Sequence, residues 1–91
     1  MAKDLYPHLT VEVNTEFMYA DLVHKLETAG RQIFQIGKPV REEGERRSNA
    51  LNKWLIDHGY KFGQDYARKD TYIYRFASES LATMFLLGNA K

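Results

Sequence analysis

Cysteine is absent from this 91-residue chain, which excludes disulfides, thiolate zinc sites and cysteine nucleophiles together. Proline occurs twice and glycine six times, too sparsely for a linker, a low-complexity segment or a repeat array. No stretch reaches the roughly 18 apolar residues of a membrane-spanning helix. The opening MAKDLYPHLTVEV has no apolar run of the length a signal peptide needs, so the chain reads as soluble and cytoplasmic, with no membrane partner. Charge of one sign is lacking as well, since 13 Lys and Arg face 12 Asp and Glu, a net of +1. Residues 1–37 hold three basic and five acidic side chains, residues 38–91 ten and seven. That is a tilt, not the basic footprint of a dedicated DNA binder. Nucleophile turns, glycine-rich phosphate loops and diagnostic acidic pairs are also missing, so neither enzyme chemistry nor a cofactor is expected.

What is present points to a folded domain. The chain is 44% hydrophobic and 27% charged, ordinary for a globular protein, and residues 1–91 read as a single domain. A chain this short buries only about 60–65% of its unfolded surface, so a partner or a second copy would add stability. A homodimer is one such arrangement, because an edge strand needs protection. Aromatics make up 13% of the residues, a high share. Small domains use them as core and interfaces use them as anchors.

The pattern of apolar residues predicts an α+β (or α/β) two-layer sandwich: a sheet of three to four strands with a C-terminal antiparallel hairpin, covered by two to three helices. HLTVEVN alternates, with Leu9, Val11 and Val13 on one face, which is a strand. Asn14 or Thr15 then caps a helix whose apolar line runs through Leu22, Val23, Leu26 and Ala29 to a stop at Gly30. Residues 32–36 fit two readings. Ile33 and Ile36 continue the helical spacing, yet β-branched and aromatic residues between two glycines favour a short strand. The strand is the reading adopted.

Pro39 suits the start of the next helix, with Glu42 and Glu43 near its positive end and Gly59 as its cap. Val40, Arg47, Leu51, Trp54, Leu55 and His58 share one face of it. Gly44 implies either a close approach by another element or a break before Glu45. YKFGQDY and TYIYRFA read as a hairpin closed by the turn ARKD, with Tyr72, Tyr74 and Phe76 on one side of the second strand. Ser78 caps a last helix ending at Gly88.

The stretch YIYRFASESLATMFLLG, Tyr72 to Gly88, carries two resemblances. Its alternating aromatics followed by a helix look like the third strand and second helix of an RNA-recognition motif, in which exposed rings stack on bases. The family's glycines ahead of the aromatic pair are missing, and only Asn89 to Lys91 follow where that family has a closing strand. The stretch also resembles the C-terminus of small uncharacterised accessory proteins of tailed bacteriophages, over about 17 of the 91 residues. That resemblance implies a small protein that binds a host or phage protein in the host cell's cytoplasm and alters its activity. It carries over no functional residue.

The expectation is a non-enzymatic binding protein of accessory or inhibitor type, acting by protein–protein contact and occlusion. The alternative is a single-stranded nucleic-acid binder using the hairpin aromatics and a discontinuous basic patch. The candidate partner-binding residues are Arg46, Arg47, Lys53, Trp54, Tyr60, Tyr66, Arg68, Lys69, Tyr72, Tyr74 and Arg75. Trp54 reads as core unless its helix lies at the edge of the fold. Helical spacing pairs Glu42 with Arg46 and Glu43 with Arg47. His8, His24 and His58 are widely separated, and no spacing requires His24 and His58 to meet at a metal or at a general base.

Overall fold

The computed structural model describes residues 5–89. Along them run β1 (Val11–Asn14), α1 (Ala20–Thr28), α2 (Ile33–Asp57), β2 (Tyr66–Arg68), β3 (Ile73–Phe76) and α3 (Glu79–Asn89). Short 3-10 turns at Glu16–Tyr19 and Gly30–Gln32 lead into α1 and α2. The fold is α+β. Among the described residues the sheet has three strands in the order β1-β3-β2, antiparallel throughout.

Register decides which side chains are inside. Val11 and Tyr66 flank Phe76, and Val13 and Arg68 flank Tyr74, whereas Glu12 and Ala67 flank Arg75 on the opposite face. The first face is covered by helices. Tyr74 is 2% exposed and Phe76 and Phe85 are 0% exposed, with the Phe85 ring of α3 at 5.4 Å from Tyr74 and 5.1 Å from Phe76. The other face carries an ion ladder, in which Lys69 and Arg75 donate to Glu12 Oε1 at 2.8 and 3.3 Å and hold the Glu12 carboxyl below its ordinary range.

Local chemistry sets the ends of the elements. Thr15, fully buried, donates both its N–H and its hydroxyl to the Tyr72 carbonyl, at 2.7 and 2.8 Å. This ties the exit of β1 to the approach to β3. Asn14 Oδ1 accepts the Glu16 N–H at 2.9 Å, so Asn14 supplies the cap, and the chain makes a 3-10 turn before α1 begins. Gly59, at φ +79°, ends α2. Its N–H donates to the Ile56 carbonyl and that of Tyr60 to the Leu55 carbonyl, the paired bonds of a left-handed helix cap. Ser78 Oγ accepts the Leu81 N–H at the start of α3.

Four expectations need correction. Residues 32–36 are not a strand: Ile33 opens α2, and β3 already has a neighbour on each side. Gly30, at φ +55°, also prevents α1 from simply running on. Pro39 is the seventh residue of α2 rather than its start. It leaves the Gln35 carbonyl without its helical donor, at the exposed end of the helix.

The hairpin is shifted. Tyr60–Asp65 forms no strand beyond an isolated bridge of Phe62 to Tyr66, because Asp65 Oδ2 accepts the Lys61 N–H and Gly63 takes φ +82° in a turn. Ala67 and Arg68 belong to β2, which leaves residues 69–72 as the connection. Finally, Arg46 pairs with Glu43 at 2.6 Å instead of Glu42, while the Glu43–Arg47 pair forms at 3.2 Å.

Gly88 is where α3 meets Trp54. A Cβ added there would lie 2.6 Å from Trp54 Cζ2, closer than any carbon pair tolerates. Gly88→Ala is therefore expected to destabilise the fold by about 1–3 kcal/mol. Urea unfolding followed by the emission of Trp54 checks it, and an unchanged midpoint would mean the indole swings aside at no cost.

Candidate functional site

Helices α1 and α2 leave a groove of about 590 Å³ between them, closed at one end by Tyr72. Its floor is apolar, made by Tyr19, Leu22 and Val40, with Val23, Leu26 and Ile33 on the walls. Phe34 stands at its mouth, 94% exposed. Lys38 and Arg41 are the charged residues that line it, and neither is ion-paired with a described residue. A hollow on the other side of α1 has the opposite character, with Glu16 and Glu27 in its lining.

The groove's shape follows from how α1 is held. Arg47 of α2 donates to both oxygens of Asp21, from Nη1 at 2.7 Å and Nη2 at 2.9 Å, and to the Met18 carbonyl at 2.9 Å. Its Nε reaches Glu43 Oε1 at 3.2 Å. This planar fork fixes the start of α1 in both distance and angle. Asp21 is consequently held well below the usual carboxylate range, at about 2, and the Arg47 cation is stabilised in turn. Further along, Leu22 Cδ1 lies 3.9 Å from where a Cβ on Gly44 would sit, an ordinary van der Waals distance at which an alanine would also fit. α2 runs through Gly44 without the break expected before Glu45, and the packing there does not require a glycine.

The predicted anchors are scattered. Tyr60, Tyr66 and Tyr74 are 7%, 5% and 2% exposed, so they are core and present no ring to a partner. Burial pushes each of these phenols up from its ordinary value, and the Tyr60 hydroxyl donates to the Leu81 carbonyl at 2.7 Å. Trp54 is half-buried, stacked on His58 at 3.9 Å and edge-on to Phe85. Arg47 is the clamp just described.

The basic patch does not assemble as a bare cationic surface. Arg46 pairs with Glu43, Lys53 with Asp57 at 2.6 Å and Lys69 with Glu12. Arg75 pairs with Glu12 as well, and Arg68 donates to the Thr71 carbonyl while lying 5.6 Å from the Tyr74 ring centre. Of the predicted anchors, Tyr72 alone lines the groove, its ring 5.2 Å from that of Tyr19.

Sequence reasoning missed Phe34, Gly37 and Lys38, because assigning a strand to residues 32–36 and starting the helix at Pro39 hid the first turns of α2 that carry them, and Arg41, placed on that helix, was not singled out as an anchor. Phe34 lies out of phase with the apolar line of Leu22, Leu26, Ala29, Ile33 and Ile36, and that displacement was the available signal. The solvent side of β3 shows Ile73 and Arg75, not rings, because the aromatic row faces inward. Among the described residues no group of three or more His, Asp or Glu side chains is placed to hold a metal ion. No helix there is long and apolar enough to cross a membrane.

Comparison with protein-family models, with curated proteins and with solved structures finds no match to this chain. The site therefore rests on the chemistry of its own residues.

Two measurements probe it. The Asp21 pKa falls from 3.8 to about 2 on folding, so the stability this pair supplies is complete above pH 4. It is lost as pH falls from about 4 towards 2. Asp21→Asn should flatten the pH dependence of the unfolding midpoint in that window, and an unchanged slope would show the pair to be inert. The buried Tyr19 hydroxyl has no hydrogen-bond partner among the described residues, and such a group costs about 1–3 kcal/mol. Tyr19→Phe should leave stability unchanged or raise it, whereas a loss would reveal a water or a partner at that oxygen.

Proposed function

We propose that this chain is a non-enzymatic binding protein that acts by protein–protein contact. As a small accessory or inhibitor protein, it would cover a partner's working surface. The observation that carries the reading is the groove between α1 and α2 with Phe34 at its mouth. Exposing a phenylalanine instead of burying it forgoes about 1.5–3 kcal/mol, and Phe34 has Ile33 and Leu26 beside it, 40% and 37% exposed. An apolar patch of this kind with a cationic rim marks an interaction surface. A partner drawn from a phage or its host follows from the resemblance of residues 72–88 and from nothing else on this chain.

Nucleic-acid binding is the weaker reading, because the aromatic row it needs is inside the fold and most of the cations it needs are paired.

The test is capture from a bacterial lysate by the tagged wild type and by Phe34→Asp, each with and without nuclease, followed by titration of the purified captured protein. Since Phe34 is exposed, the variant should fold with stability within about 0.5 kcal/mol of wild type. The expected result is a protein that survives nuclease and that the variant fails to bind. Capture abolished by nuclease would restore the nucleic-acid reading. Equal binding by wild type and variant would remove the groove as the contact surface.

A further inference from the structure

Gly37 sits inside α2, where a glycine weakens a helix relative to alanine, and its φ is not positive. A Cβ built on it meets nothing within 4 Å. No contact among the described residues therefore requires its absence, in contrast to Gly88, where a Cβ would lie 2.6 Å from Trp54 Cζ2. Gly37 and Gly44 both line the groove. They are seven residues apart, close to two helical turns, and so lie on one face of α2. Val40 and Arg41 lie between them and Leu22 sits against Gly44, so the open backbone is at Gly37, and a bare position facing an apolar groove lets a second backbone approach closely.

The charges along the groove are equally one-sided. Lys38 and Arg41 have no carboxylate among the groove's lining residues, and the shallower groove on the other flank of α2 is lined by Lys25, again with no acid. Apart from Tyr72 the lining residues belong to helical segments, so the groove offers no sheet edge to an extended peptide. A helix in a groove is the recognition mode that fits.

We propose that the groove receives an amphipathic helix of the partner protein. That helix lies along α2 over Gly37, with Phe34 against its apolar face and carboxylates on its flank opposite Lys38 and Arg41. This rests on the reading of the groove as the binding surface. It adds the partner's shape and charge. A second copy of this chain fits less well, because a two-fold contact through the groove would bring the Lys38 and Arg41 rims of both copies together.

The experiment selects a yeast-displayed library of peptides of about 18 residues, five helical turns, against the full chain, with Phe34→Asp as the counter-selection target. Enriched sequences should show apolar residues at helical spacing flanked by Asp or Glu. A synthesised winner should bind the double variant Lys38→Glu, Arg41→Glu at least about tenfold more weakly. Gly37→Ala separates binding from folding. It should raise the Tm of the free protein by about 4–8 °C and weaken the peptide by a similar factor of ten.

Winners that need Phe34 but carry no acidic flank, or that ignore both Gly37→Ala and the charge reversal, would overturn the acidic helix and leave the groove standing. A library with nothing enriched over the counter-target would overturn both. Sedimentation showing a dimer that Phe34→Asp dissolves would give the groove to a second copy and overturn the proposal.

Discussion

Phe85 seated against Tyr74 and Phe76 is the contact on which the rest of the molecule depends. β3 is the central strand, bonded to both neighbours, so the face its aromatics take is the face every helix must cover. With those rings turned inward, α3 packs through Ala82 and Phe85, α2 through Leu51 and Leu55, and the Tyr60 ring closes the end near β2. One small core thereby takes up most of the aromatic surface that a binding platform would have used. The solvent face of the sheet is left to Glu12, Lys69 and Arg75, which satisfy one another.

A second layer of constraint lies outside the hydrophobic cluster. α1 is short and only Leu22 of it is fully buried, which would hold its position loosely if packing alone acted. Arg47 compensates with directional bonds, since a guanidinium fork on a carboxylate sets orientation as well as distance. The pair is exposed on the Asp21 side, 57% at the side chain, so its value lies more in geometry than in energy. The long helix α2 also extends past the sheet. In its first turns Ile33 and Phe34 are 40% and 94% exposed, and with Gly37 they line the groove.

This division bears on function. Residues that hold the fold and residues that line the groove are largely separate sets, with Tyr19, Leu22, Val40 and Tyr72 shared between them. A partner could therefore be gained or exchanged by changes at Phe34, Lys38 and Arg41 with little disturbance to the core. Of the aromatic and basic residues singled out in the sequence as anchors, Tyr72 alone lines the groove. Large rings and arginines serve cores and clamps as readily as interfaces.

By itself the sequence narrowed the class to α+β or α/β and determined a first strand within residues 8–14, the aromatic strand and the helix that follows it. Alternation of period two and the caps at Ser78 and Gly59 are local properties, written in adjacent residues. It also determined that Glu43 meets Arg47, because helical spacing brings those positions together. Tertiary structure alone decided that β3 turns its rings inward, since alternation marks two faces and does not say which is covered. It decided that residues 32–36 are helical, because both sides of β3 were already taken. It also decided which arginine becomes a clamp and which apolar residues remain in water, because these depend on where α1 comes to rest on α2, a contact between segments that no local pattern encodes.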